Sequence, residues 1–136
     1  MGDKEFVGKE CYVQWVTTSG TVALYTDARN FSYAPSIEFI DRTAGADASR
    51  KRLTSFKDGN ATLEMLAQSD GTAILTQCAE GTHGTLTWGP AGTATGKPKR
   101  YCAAYAGGVQ EANPYNDVAT WTITWQQDGD RTDGAW

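Results

Sequence analysis

The chain has one histidine, three widely spaced cysteines and no apolar run longer than a few residues. Each scarcity excludes something. His83 has no second histidine to share a metal and no cysteine at ligand spacing, so a structural role in a turn between Thr82 and Gly84 is expected rather than a metal site. Cys11, Cys78 and Cys102 are odd in number and lack a CxxC spacing, which argues against a disulfide framework and leaves buried free thiols. Nothing approaches the roughly 20 consecutive apolar residues of a membrane helix. The first residues carry charges of both signs without an apolar signal core, so the protein is expected to stay where it is made, with no membrane partner.

Basic charge is also scarce. A net charge of −4 and a pI near 4.9 argue against a sequence-specific DNA binder, which needs a cationic surface to displace counterions from phosphate. Arg50, Lys51 and Arg52 form the one dense basic cluster, readable either as a solvated loop or as a contact site. Gly107 and Gly108 are a bare doublet, without the helix and lysine that make a phosphate loop. Asp128 and Asp130 lie in no apolar surround that would split them into an acid and a base, so they read as solvating charges. No catalytic residue and no cofactor site emerges, and an enzyme is not expected.

What the chain does have is alternation. At 136 residues, 40% of them hydrophobic and 21% charged, it is long enough for one domain with one modest core. Residues 11–16 and 21–25 alternate on either side of a short turn and read as a hairpin. Phe31 and Tyr33 resume the pattern until Pro35, which marks an edge strand or a bulge. Residues 57–60 read as a turn, and 61–68 as a strand with Leu63 and Met65 on one face. One helix is expected at about residues 71–80, with Ile74, Leu75 and Cys78 on one stripe, Ser69 or Asp70 capping it and Gly81 ending it. Residues 89–99 read as a wide surface loop. Tyr101, Ala103 and Tyr105 alternate with Cys102, Ala104 and Ala106, giving an aromatic face and a small one. The clearest strand is 118–126, with Trp121, Ile123 and Trp125 inward and Thr120, Thr122 and Thr124 forming an outward threonine ladder. The fold class is therefore mainly β: a β-sandwich or half-barrel of two packed sheets, one flanking helix, a polar arm at 1–8 and a polar tail at 127–136.

The chain is organised around residues 36–54. Ile37, Phe39 and Asp41 alternate with Glu38, Ile40 and Arg42 as in a strand, and then the period vanishes. Residues 43–52 hold small side chains, one acid and the basic cluster, so they have little to bury and should project as a long loop.

The run Ile40, Asp41, Arg42, Thr43, Ala44, Gly45, Ala46 and Asp47, followed by the basic cluster and Leu53, resembles the strand-and-loop signature of the major tail tube proteins of long-tailed bacteriophages. Residues 81–92 resemble that family's segment after its single helix, and the Thr/Trp-rich strand 117–126 its closing strand. The resemblance implies a structural virion protein that closes into hexameric rings, with strands of six subunits completing a lumen-lining barrel and rings stacking into a tube for genome delivery. It implies heterologous contacts between copies, a loop reaching into the adjacent ring, and tape-measure and tail-end proteins as further partners. DNA would pass without specific binding along a lumen that suits acidic subunits. It further implies assembly in the host cytoplasm and residence in the phage tail. The contact residues expected on this basis are Asp41, Arg42, Thr43, Ala44, Gly45, Ala46, Asp47, Arg50, Lys51 and Arg52 in the loop, with Arg131 and Trp136 in the tail. Trp136, an aromatic residue closing a polar tail, is expected either to lie free in water or to dock on a neighbour. Five tryptophans and six tyrosines keep a second reading open, a carbohydrate-binding β-sandwich with exposed rings that stack on sugars. Trp121 and Trp125 are expected in the core, whereas Trp15 and Trp88 stay open.

Overall fold

A computed structural model of the chain describes residues 8–25 and 28–136; all of the expected arm at 1–8 except Gly8, together with residues 26 and 27, lies outside the described residues. After a 3-10 turn (Gly8–Glu10) come β1 (Tyr12–Thr17), β2 (Gly20–Ala23), β3 (Ala28–Asp41), β4 (Arg52–Leu66), helix α1 (Thr72–Gln77), β5 (His83–Gly89), β6 (Pro98–Ala112), β7 (Thr120–Gln127) and β8 (Thr132–Ala135). All strand pairings are antiparallel, in the order β2-β1-β5-β6-β7-β4-β3, with β8 added beside β6.

The mainly-β class is confirmed, and the two expected layers prove to be halves of one continuous sheet. Trp15 of β1 meets Trp125 of β7 at 5.8 Å, and Phe31 and Tyr33 of β3 meet Trp88 of β5 at 5.7 and 4.7 Å. These strands are remote in hydrogen-bonding order, so the sheet must curl until its ends face each other. The device that bends it lies at Gly107 and Gly108. Between Ala106 and Val109, β6 advances three residues while its partner β7 advances two, from Trp125 to Ile123. The extra residue is a β-bulge, which increases local twist. Gly108 sits at φ +92°, and a Cβ on Gly107 would fall 2.5 Å from the Thr124 hydroxyl. The doublet is thus the sheet's corner.

The core lies inside this curl. Trp15, Trp88, Trp121 and Trp125 are all buried, together with Leu63, Met65, Leu86 and Ile123. The small face of β6, made of Cys102, Ala104 and Ala106, is turned inward and leaves room for these rings, while Tyr101 and Tyr105 point out. Cys78 is buried, and Ile74 and Leu75 pack on the core, so α1 uses the stripe expected of it. Trp15 Nε1 donates 2.8 Å to the Gln77 carbonyl, tying the end of the helix to β1.

Several local expectations are overruled by tertiary contacts. Helix α1 is shorter than 71–80, and no side chain caps it: Gly71 occupies the N-cap, following a turn in which its N–H bonds the Gln68 carbonyl. Gly81 does not end the helix, which is over by Gln77; its N–H instead bonds the Ala106 carbonyl and joins the chain to β6. Residues 57–60 are not a turn. They lie inside β4, paired with Ala34, Pro35, Ser36 and Ile37 of β3, because a full-length partner outweighs local turn propensity. Gly59 is required there by close approach, since a Cβ would sit 2.7 Å from the Tyr33 hydroxyl oxygen. Pro35 is tolerated because β3 is an edge strand. His83 begins β5 rather than sitting in a turn.

The largest departure is at the C-terminus. The expected polar tail turns back as β8, pairing Tyr101 with Thr132 through Pro98 with Ala135. Trp136 then closes the 89–99 segment, its N–H on the Lys97 carbonyl at 3.0 Å and its carbonyl accepting from Gly96 N–H at 3.1 Å.

Candidate assembly surfaces

Strands β3 and β4 are much longer than the neighbours they share. Strand β7 pairs with β4 only from Asn60 to Leu66, whereas β3 follows β4 back to Arg52. The outer part, roughly residues 36–41 with 52–58, is therefore a two-stranded ribbon extending past the sheet. Two-stranded ribbons alone are marginal in water. Its apolar side chains are distributed on both faces, because Ile40 pairs with Leu53 on one face while Phe39, opposite Thr54, is on the other. Phe39 is 59% exposed, Ile40 47%, Leu53 51% and Phe56 80%. A ribbon greasy on both faces cannot be covered by lying on its own body. Phe56 falls where β4 carries an extra residue relative to β3, between Ile37 and Phe39, so the bulge itself presents it.

At the ribbon tip the small-residue segment projects as expected, and local bonds hold it. Arg42 N–H bonds the Lys51 carbonyl at 2.9 Å, and the Thr43 hydroxyl accepts from Lys51 N–H at 2.8 Å. The Asp41 carboxylate accepts from Thr43 N–H at 2.9 Å and pairs with Arg50 at 2.6 Å. Asp47 accepts from Ala44 N–H at 2.8 Å and pairs with Lys51 at 3.0 Å. The Thr43 side chain and amide, then Arg50, hold the Asp41 carboxyl below its ordinary range; the Ala44 amide, then Lys51, do so for Asp47. With both carboxylates satisfied inside the loop, Arg42 and Arg52 make no ion pair among the described residues. Gly45 and Ala46 are exposed at the apex.

Arg131 and Trp136 are not brought to this tip. Arg131 forks onto Asp133 at 2.8 and 3.2 Å, donates 3.1 Å to the Tyr33 hydroxyl and stacks over that ring, which places it beside the ribbon root. Trp136 stands edge-on to Tyr12 at 5.6 Å with the Lys99 ammonium 4.8 Å from its ring centre. The sequence reading of Trp136 as lacking a local core was wrong, because β8 carries it back onto its own subunit.

The second candidate surface is formed by open strand edges. Among the described residues, strand β3 pairs only with β4, and the far half of β6, from Gly107 to Ala112, has β7 on one side and no strand on the other. The remaining end strand, β2, lies beside α1, and at the end of β1 the Thr17 hydroxyl reaches the Gln77 side chain at 3.3 Å. Unpaired edges invite another strand, and here they bound a four-stranded layer, β3-β4-β7-β6. The outer face of that layer is mainly hydroxyl and amide, with the Glu64 carboxylate among them. Ser32, Thr62 and Thr124 form one cross-strand row, and Asn30, Glu64, Thr122 and Gln110 another.

No family model matches the chain, and no curated protein resembles it in sequence. Solved structures do match its shape. The SPP1 tail tube superposes with a TM-score of 0.77 at 8% identity, covering 97% of this chain and 80% of that one. The tail of an empty gene transfer agent particle, refined with C6 symmetry, gives 0.74 at 11% identity, with 96% and 100% covered. A sheath-tube complex of an extracellular contractile injection system gives 0.71 at 13% identity, with 99% and 95% covered. The chain has the tail tube fold.

With the tail tube fold in place, the other candidates resolve. Trp15, Trp88, Trp121 and Trp125 are core, and Trp136 packs against Tyr12, so the sugar-binding reading loses its platform of exposed tryptophans. His83 pairs with Asp128 at 3.0 Å and packs on Tyr105 at 4.6 Å. Among the described residues no group of three or more His, Cys, Asp or Glu side chains is placed to hold a metal. Sequence reasoning missed the apolar ribbon at Phe39, Ile40, Leu53 and Phe56, although the unbroken alternation through Asp41 and the hydrophobic residues resuming at Leu53 carried the signal.

Proposed function

We propose that this chain is a structural subunit of a phage-type tail tube, closing into six-membered rings that stack into a conduit for DNA. The observation that carries this reading is a tail tube fold whose four-stranded layer, among the described residues, is open at both edges. Joining the β3 edge of one copy to the free half of β6 in the next is a heterologous contact, and six such contacts close a ring. Four strands from each copy then form one continuous barrel around the lumen.

The outer face of the layer suits that position. Its threonines, serine and amides hydrogen-bond water without attracting phosphate, and Glu64 within it and Glu80 at its edge add negative charge that repels a passing nucleic acid. DNA passes without specific binding. The ribbon and its loop, from Asp41 to Arg52, reach the adjacent ring. Arg131 supports the ribbon root, and Trp136 with β8 stiffens the subunit beside it. The role is mechanical, with no catalytic step and no cofactor; tape-measure and tail-end proteins are the remaining partners, and the site of action is the virion tail after assembly in the host cytoplasm.

Negative-stain imaging and sedimentation of the concentrated, purified protein test this. Rings or filaments with six-fold end views are expected. A monomer that persists at every concentration overturns the proposal.

A further inference from the structure

The end of the layer opposite the ribbon has its own exposed apolar patch. Strand β4 runs from Arg52 to Leu66, and thirteen residues separate Leu53 from Leu66, roughly 43 Å at ~3.3 Å per residue. Leu66 pairs with Thr120, and the segment just before Thr120 carries Tyr115, 99% exposed, and Val118, 51% exposed. Ala67 N–H bonds the Ala119 carbonyl at 3.0 Å, which places Asp70 at the same end.

Charge is divided between the two ends. No lysine or arginine occurs from Asp58 to Gly96 or from Tyr101 to Asp130. The far rim therefore holds Asp70, Glu111 and Asp117, against Arg29 as the single cation that the register places there. At the ribbon end, Arg42 follows Ile40 by two residues on the face Ile40 shares with Leu53 and makes no ion pair among the described residues, whereas Arg52, opposite Asp41, lies on the other face. Each end has what the other lacks, and a translation along the strand direction brings them together.

We infer that the ribbon of one copy seats on the far rim of a second copy in the next ring, with Ile40 and Leu53 against Tyr115 and Val118. This rests on the tube reading above and adds the receiving surface. Arg42 faces Glu111 and Asp117 across the contact, which steers the ribbon and fixes polarity: ribbon meets rim, never ribbon meets ribbon, because like tips repel. The contact is heterologous and does not close, so it propagates into a filament.

The test uses the full chain carrying Leu53→Cys and Tyr115→Cys in a Cys11→Ser background, assembled and then mildly oxidised. Denaturing gels should show a ladder extending beyond the dimer with the double variant, and no ladder with either single variant. A second arm reverses charge. Arg42→Glu should shorten filaments at least tenfold while rings persist, and adding Asp117→Arg to the same chain should restore their length. Filaments without a ladder, or a reversed pair as short as the single variant, overturn this contact alone. A parent protein that forms neither rings nor filaments overturns the tube reading with it.

Discussion

Replacing Ile40 and Leu53 together by threonine separates the stability of the subunit from that of the tube. Full burial of an isoleucine or leucine side chain contributes about 1.5–3 kcal/mol. In the free subunit Ile40 is 47% exposed and Leu53 51%, so about half of that gain, ~1 kcal/mol each by the same scale, awaits a partner. The double substitution then removes about 2 kcal/mol per ribbon, and ~12 kcal/mol from each ring-to-ring junction if six ribbons act together. The subunit should remain folded. Threonine preserves β propensity, and losing the half of each side chain already covered in the subunit costs at most about 1 kcal/mol per residue on the same scale, a shift in Tm of no more than roughly 10 °C. Differential scanning calorimetry of dilute protein, beside filament-length distributions from negative stain, reads both quantities. Rings of folded subunits, with a Tm lowered by less than about 10 °C, and no long filaments are expected. Filaments of ordinary length, or a Tm lower by more than about 10 °C, a loss of more than ~2 kcal/mol on that scale, would refute the argument that this apolar surface is reserved for another copy.

Other outcomes follow from single contacts. Trp15→Phe keeps an aromatic ring in the core but removes the 2.8 Å bond to the Gln77 carbonyl, so unfolding free energy should drop by about 1–3 kcal/mol in urea titrations; an unchanged midpoint means the bond does not anchor α1. The acids of the loop give a pH dependence with a definite sign. Asp41 and Asp47 have depressed folded values, so their bonds are fully formed above the ordinary carboxylate value of 3.8 and are lost as pH falls through the lower folded value. Filament turbidity should therefore hold from about pH 8 to about pH 5 and fall only below ~4, and a loss centred near neutrality contradicts this. Burial pushes the Cys78 thiol up to about 12. Thiol labelling of the native protein at about pH 8 should reach half-buried Cys11 first and leave Cys78 unmodified, whereas early modification of Cys78 means that α1 opens readily.

The strands that face the core by strict alternation were legible in the sequence. Leu63 with Met65, and Trp121, Ile123 and Trp125, declare an inward face through period two, and the chain obeys. The projecting loop was legible too, since ten residues with nothing to bury have nowhere to go but outward. What escaped the sequence reading depended on partners remote in the chain. Lys57, Asp58, Gly59 and Asn60 have the composition of a turn, yet β3 lies alongside and straightens them. Gly107 and Gly108 carry no sign that they are a corner until β7 supplies the register. Trp136 seemed unattached because Tyr12 and Lys99, which hold it, come from elsewhere in the chain. The candidate surfaces divide in the same way. Composition singled out the loop at the tip, whereas the ribbon beneath it is visible only once β7 is seen to leave β4 at Asn60.

Hydrogen-deuterium exchange, compared between dilute subunit and assembled filament, addresses directly whether the open edges of β3 and of β6 from Gly107 to Ala112 are joined by other copies. The account predicts that outward amides on both edges exchange quickly in the subunit and become strongly protected together on assembly, while β1, β5 and β7 are protected throughout. Edges that stay equally labile in filaments, or that are already protected in the isolated subunit, contradict it.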